Sequence, residues 1–164
     1  MEERHPENGM ESVLQKYSAM VYRIAYARTK NAADAEDVMQ DVFLCCLTAG
    51  AASYDDEHLK AWLIRVTVNV SRNLLHSAWF RKTQPLSETV PASAPEGSDV
   101  LDAVLALPLK YRTVVHLYYY EGLPVAEIGR ALGLGESTVK SRLLRARKRL
   151  GEALKEEYGY AGDV

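Results

Sequence analysis

A chain of 164 residues, 48% hydrophobic and 26% charged, has room for one domain or two small ones with modest cores. Its formal net charge of −2 is no signature of nucleic-acid binding, so the distribution of charge carries more information than the sum. The two cysteines, Cys45 and Cys46, are adjacent, which excludes a disulfide framework and a metal-ligand spacing; both are expected as small buried or half-buried thiols in a reducing compartment.

The opening segment MEERHPENGMES is charged and lacks the apolar stretch of a signal peptide. No apolar run reaches the roughly 18 residues of a membrane span, so a cytoplasmic protein is expected. The periodicity is helical almost throughout. In the first helix Val13, Tyr17, Met20, Val21, Ile24 and Arg28 recur at spacings of three and four. Lys30-Asn31 breaks it, and Asn31 can cap the second helix. That helix is expected to place Val38, Val42, Phe43, Cys46 and Leu47 on one inward face and to stop at Gly50. Its other side holds Glu36, Asp37, Gln40 and Asp41, either a solvated acidic face or a dock for a basic partner. A third helix opens near Asp55-Asp56-Glu57, with an apolar stripe of Leu59, Trp62, Leu63, Val66, Val70 and Leu74 and with Trp62 read as core. Arg65, Asn69, Arg72, Asn73 and His76 form a polar stripe on the same helix.

Residues 81–98, RKTQPLSETVPASAPEGS, hold three of the six prolines, which opposes regular structure and reads as a linker. Two all-α domains result, residues 1–80 and 99–164. In the second, a short helix over Asp99–Ala106 is followed by one from Leu107-Pro108 to about Tyr120. Pro124 starts the next, which runs to Leu132. Gly133-Leu134-Gly135 turns the chain, and a last helix runs from Glu136 to about Tyr158.

The last two helices form a helix-turn-helix, LPVAEIGRALGLGESTVKSRLLRARKRL at 123–150, the minimal DNA-reading unit. Val125, Ile128 and Leu132 are expected inward from its first helix, and Val139, Leu143, Ala146 and Leu150 from its second. Gly129 is expected where the second helix crosses closely. The outer face carries Ser137, Thr138, Lys140, Ser141, Arg142, Arg145, Arg147, Lys148 and Arg149. Residues 140–149 hold six basic side chains and no acidic one, whereas residues 1–80 hold 8 basic and 11 acidic. Polar side chains on the first turns suit base edges, and the later cations suit phosphates. No Ser/His/Asp set, phosphate-cradling glycine loop or metal cluster appears, and His5, His58, His76 and His116 lack ligand spacing. Neither an enzyme nor a metal or other cofactor is therefore expected.

DAEDVMQDVF, AWLIRVTVNVSRN and LPLKYRTVVHLYYYEGLPVAEIGRALGLGESTVKSRLLRARKRL together resemble the two domains of extracytoplasmic-function (ECF) sigma factors, a compact group of the sigma-70 family. The resemblance spans roughly residues 10–80 and 99–155. It implies a factor that binds core RNA polymerase through the helix of Asp34, Glu36, Asp37, Gln40 and Asp41. It implies that the third helix holds the promoter −10 element with Arg65, Asn69, Arg72, Asn73 and His76. Trp79 and Phe80 then either stack on an unpaired base or cap the first core. The helix-turn-helix is implied to bind the −35 duplex. Core polymerase, promoter DNA and an anti-sigma factor are the implied partners of a chain that is monomeric when free.

Three positions depart from the family pattern. Asn73 stands where aspartate is usual, Val68 where arginine is usual, and Pro124 where a Ser or Thr cap is common. Eighteen linker residues also reach at most about 60 Å, whereas sites about 25 base pairs apart are separated by roughly 85 Å, so the linker is expected nearly stretched on a promoter. Two other readings compete: an autonomous helix-turn-helix regulator with residues 1–80 as a sensing domain, and a sigma-like decoy that sequesters an anti-sigma protein. The cations of residues 140–149 argue against the decoy.

Overall fold

The computed structural model describes residues 6–81 and 99–158, and no strand occurs among them. Three helices form one compact unit: α1 is Pro6–Thr29, α2 is Ala32–Ala49 and α3 is Asp56–Arg81. Four form the other: α4 is Asp99–Leu105, α5 is Leu109–Val115, α6 is Val125–Leu132 and α7 is Glu136–Tyr158. No described helix is long and apolar enough to cross a membrane. Most of the linker expected at 81–98 lies outside the described residues.

Helix boundaries in the first unit follow local chemistry. Lys30 takes a left-handed φ of 55°, keeping its N–H on the Tyr26 carbonyl at 2.8 Å while the chain turns into an extended Asn31. Asn31 Oδ1 then accepts the Asp34 N–H at 2.9 Å, satisfying one of the donors a helix start leaves open. Gly50 ends α2 with φ 67°, its N–H bonded back to the Cys46 and Leu47 carbonyls. After a 3₁₀ turn at Ala51–Ser53, Asp55 Oδ1 accepts the His58 N–H at 2.8 Å and caps α3.

The three helices pack pairwise around Val13, Tyr17, Val21 and Ile24 of α1, Val38, Val42, Phe43 and Cys46 of α2, and Leu59, Leu63, Ile64 and Val68 of α3, all buried. Three expectations are corrected. Leu47 is 57% exposed, because its position lies round the helix from Val38 and Val42, on the side of Gln40. Cys45 is exposed while Cys46 is buried, and burial pushes the Cys46 thiol up, the neighbouring Cys45 adding to it. The buried stripe of α3 is rotated: Ile64, Thr67, Val68 and Ser71 are buried, whereas Trp62, Val66, Val70 and Leu74 are half-buried. Thr67 and Ser71 tolerate this because their hydroxyls bond the Leu63 and Val68 carbonyls at 2.6 and 2.8 Å.

Arg28 is the polar pin of this core. It is buried, and its Nε donates to Ser71 Oγ at 2.6 Å, tying the last turn of α1 to the middle of α3. Arg28→Ala removes both the packed stem and the donor, and is expected to destabilise this unit by about 2 kcal/mol. Chemical denaturation with Trp62 fluorescence as readout checks this.

In the second unit α7 is the central element, packed against α4, α5 and α6. Ala103, Val104, Leu107, Tyr111 and Val115 close on Ala146, Leu150 and Leu154 in one buried cluster. Arg112 is buried beside it and donates from Nη1 to the Leu107 carbonyl at 2.8 Å, supplying the turn between α4 and α5 with a partner; burial holds its guanidinium below the usual arginine range. Beyond Val115 the helix widens into a π-helical turn over His116–Tyr120. His116 Nε2 and Glu121 Oε2 meet at 2.7 Å, both side chains largely buried, and close that turn.

Candidate nucleic-acid interface

The helix-turn-helix depends on two glycines. Gly133 has φ 68° and ends α6 in the left-handed region, where a side chain is strained. Gly129 accepts the Leu134 N–H at 2.8 Å on its carbonyl, and a Cβ built on it would lie 2.6 Å from the Leu134 carbonyl oxygen. The close approach is therefore the turn's backbone. Helix α7, expected as the close neighbour, comes no nearer than Val139 Cγ2 at 3.8 Å. Of the inward set, Ile128, Val139, Leu143, Ala146 and Leu150 are buried; Val125 and Leu132, at the ends of the short α6, are only half-buried.

Docking α7 by that apolar face turns its remaining side outward. Ser137, Thr138, Lys140, Ser141, Arg145, Lys148 and Arg149 are exposed, and Arg142 and Arg147 half-buried. Several cations are already oriented. Arg147 Nε donates to the Tyr119 hydroxyl at 2.6 Å, and its guanidinium lies 5.9 and 5.7 Å from the Tyr118 and Tyr119 ring centroids. Arg149 lies 5.0 Å from the Tyr111 ring. The π turn makes the first arrangement reachable, since its wider winding shifts the phase of consecutive tyrosines relative to a regular helix.

Two features escaped sequence reasoning. Leu144 is 66% exposed among Lys140, Ser141 and Lys148; treating every leucine of α7 as inward-facing would hide it, although the spacing of three and four from those neighbours places it outside. Lys110 and Tyr111 of α5 face Ser137, Thr138, Ser141 and Arg145 across a cleft of about 420 Å³. No local motif brings residues 110 and 138 together, so only the tertiary fold reveals it.

In the first unit, Arg65, Asn69, Arg72, Asn73 and His76 are all exposed, on one side of α3 opposite the buried Leu63, Thr67 and Ser71. The same side begins with His58, stacked on Tyr54 at 4.2 Å between centroids. Trp79 and Phe80 fall in the last turns of α3, and their side chains lie outside the described residues. On α2, Glu36, Asp37, Gln40 and Asp41 are exposed and Asp34 is half-buried. Leu44 at 60% and Leu47 at 57% exposure share that sector, so the acidic face has an apolar centre. No cluster of metal-binding side chains occurs among the described residues.

Comparison with known proteins gives the arrangement its family. The model of sigma-70 region 2 matches residues 13–81 and that of sigma-70 region 4 matches residues 98–150. ECF RNA polymerase sigma factor SigL of Mycobacterium tuberculosis is 31% identical over 160 residues, covering 90% of this chain and 89% of the relative. The chain belongs to the ECF sigma factors of the sigma-70 family. SigM of the same organism is 30% identical over 149 residues, covering 88% of this chain and 76% of its own length. The fold is similar to that of the sigma factor RpoE solved with the anti-sigma factor NepR from Bartonella quintana, with TM-score 0.75 and 22% identity over 90% of this chain and 97% of that one. As a sigma factor the chain binds core RNA polymerase and directs promoter-specific initiation, and catalyses no reaction itself. The region 2 match over 13–81 occupies the segment that the autonomous-regulator reading reserved for a sensing domain.

Proposed function

We propose that the two units divide the work of this sigma factor by charge. The exposed acids Glu36, Asp37 and Asp41, with Gln40, Asp34 and the apolar centre Leu44–Leu47, dock a basic surface of core polymerase. The α3 stripe of Arg65, Asn69, Arg72, Asn73 and His76, with Trp79 and Phe80 beyond it, holds the −10 element. Arg65 and Arg72 suit phosphates, and Asn69 and Asn73 each offer a donor and an acceptor to a base. The outer face of α7, from Ser137 and Thr138 through Lys140, Ser141, Arg142, Arg145, Arg147 and Lys148 to Arg149, binds the −35 duplex, and the segment 81–98 links the two domains, 1–80 and 99–164. The chain is monomeric when free, acts in the cytoplasm and is held in check by an anti-sigma partner, as the solved relative RpoE is bound by NepR. The observation that carries this reading is the run of six cations without an acid at 140–149 on the exposed side of a helix whose opposite side is core.

Leu144 gives the duplex-reading face an apolar contact of the kind that meets a thymine methyl in the major groove. Selection of promoter sequences with reconstituted holoenzyme tests both assignments at once. Two preferred blocks are expected. Asn69→Ala should relax preference in the downstream block alone, and Leu144→Ala in the upstream block alone, each by about tenfold at the affected position. A single block, or the reverse pairing of variant and block, contradicts the reading.

A further inference from the structure

We propose that the cleft between the start of α5 and the first turns of α7 seats one backbone phosphate of the duplex, with Lys110 as a ligand contributed from outside the helix-turn-helix. The inference deepens, and rests on, the assignment of α7 to duplex DNA. Its first support is chemical. The cleft is lined by the hydroxyls of Ser137, Thr138 and Ser141, by the cations Lys110, Arg142 and Arg145 and by Tyr111, with no carboxylate among them. Convergent cations and hydroxyl donors are what a phosphodiester oxygen requires.

The second support is rigidity. Tyr111 is 5% exposed and belongs to the buried cluster under α7, so its ring is a fixed wall. The Lys110 ammonium and the Arg149 guanidinium each lie 5.0 Å from that ring's centroid, and Arg145 lines the same cleft. Desolvation pushes the Tyr111 phenol up, but the neighbouring cations Arg145, Lys110 and Arg149 outweigh it and hold the phenol below its usual value. The cleft is therefore electropositive before any ligand arrives, and its cations are gathered around one anchored side chain, which lowers the ordering cost of binding.

The third support is placement. Side chains on the first turns of a reading helix enter the major groove, and groups flanking them meet the groove's wall, which is sugar and phosphate. Lys110 flanks Ser137, Thr138 and Ser141 in this way. The cleft is continuous with the exposed ridge of Ser141, Arg145 and Lys148, which favours DNA over an acidic protein segment as its occupant.

The test uses the full chain with core polymerase on promoter duplexes that carry one neutral methylphosphonate at a time across the upstream block. One position should weaken wild-type binding by about five- to tenfold, and the same modification should cost nothing further in Lys110→Ala. Lys110→Ala alone should weaken all upstream sequences alike and lower the salt slope by about 0.9, and Lys110→Arg should restore both. If Lys110→Ala leaves affinity and slope unchanged while Arg145→Ala weakens binding, the seat is refuted and an acidic protein segment becomes the better occupant. If Arg145→Ala is also without effect, the assignment of α7 to duplex DNA falls with it. Independent, multiplying effects of Lys110→Ala and every methylphosphonate would likewise overturn the proposal.

Discussion

Asp37→Lys is expected to cut capture of core polymerase by about a hundredfold or more. Asp37 is exposed on α2 between Glu36 and Asp41, in the sector that also presents Leu44 and Leu47. Reversal removes one attractive charge from the proposed dock and sets a cation against a basic partner, a change worth about 3 kcal/mol at a desolvated interface. The fold should be untouched, because the side chain lies away from Val38 and Val42. Binding of labelled chain to core polymerase at two salt concentrations provides the measurement. Lower salt should aggravate the loss, since screening of the new repulsion weakens. Undiminished capture would reduce the acidic face to a solvated surface.

Gly129→Ala is expected to destabilise the helix-turn-helix unit by about 2 kcal/mol, although alanine is otherwise the better helix former by about 1 kcal/mol. The added Cβ meets the Leu134 carbonyl oxygen at 2.6 Å. That oxygen is backbone, in the turn whose N–H groups bond the Gly129 carbonyl, so relief requires moving the turn and with it the first residues of α7. Urea denaturation of the variant should show the lower midpoint, and −35 duplex binding should fall beyond what the lost stability explains. A neutral or stabilised variant would show that the turn yields freely.

The helical architecture was legible because both local signals and the apolar pattern agreed. Asn31, Gly50 and Gly133 mark helix ends by chemistry that acts within four residues, and α7 alternates buried and exposed positions at one clean period from Val139 to Leu150. Legibility failed where that agreement failed. In α3 the hydrophobic residues Trp62, Val66 and Val70 outnumber what one face can bury, and the helix instead buries Thr67 and Ser71, whose hydroxyls bond carbonyls within the helix and, at Ser71, meet Arg28. In α2 the exposed Leu44 and Leu47 look like core in one dimension. The family resemblance pointed to the acidic face and the reading helix, but the Lys110–Tyr111 wall depends on a contact across some thirty residues of sequence, which periodicity cannot supply.

The division of labour by charge is tested most directly by run-off transcription with core polymerase and a chain carrying Arg145→Ala and Lys148→Ala. These two exposed cations lie on α7, in the unit that does not carry the proposed polymerase dock. Polymerase capture should be unchanged, transcript from a promoter dependent on its upstream block should fall sharply, and the salt slope of promoter binding should drop by about two. An undiminished transcript, or a loss matched by an equal loss of polymerase capture, would contradict the account.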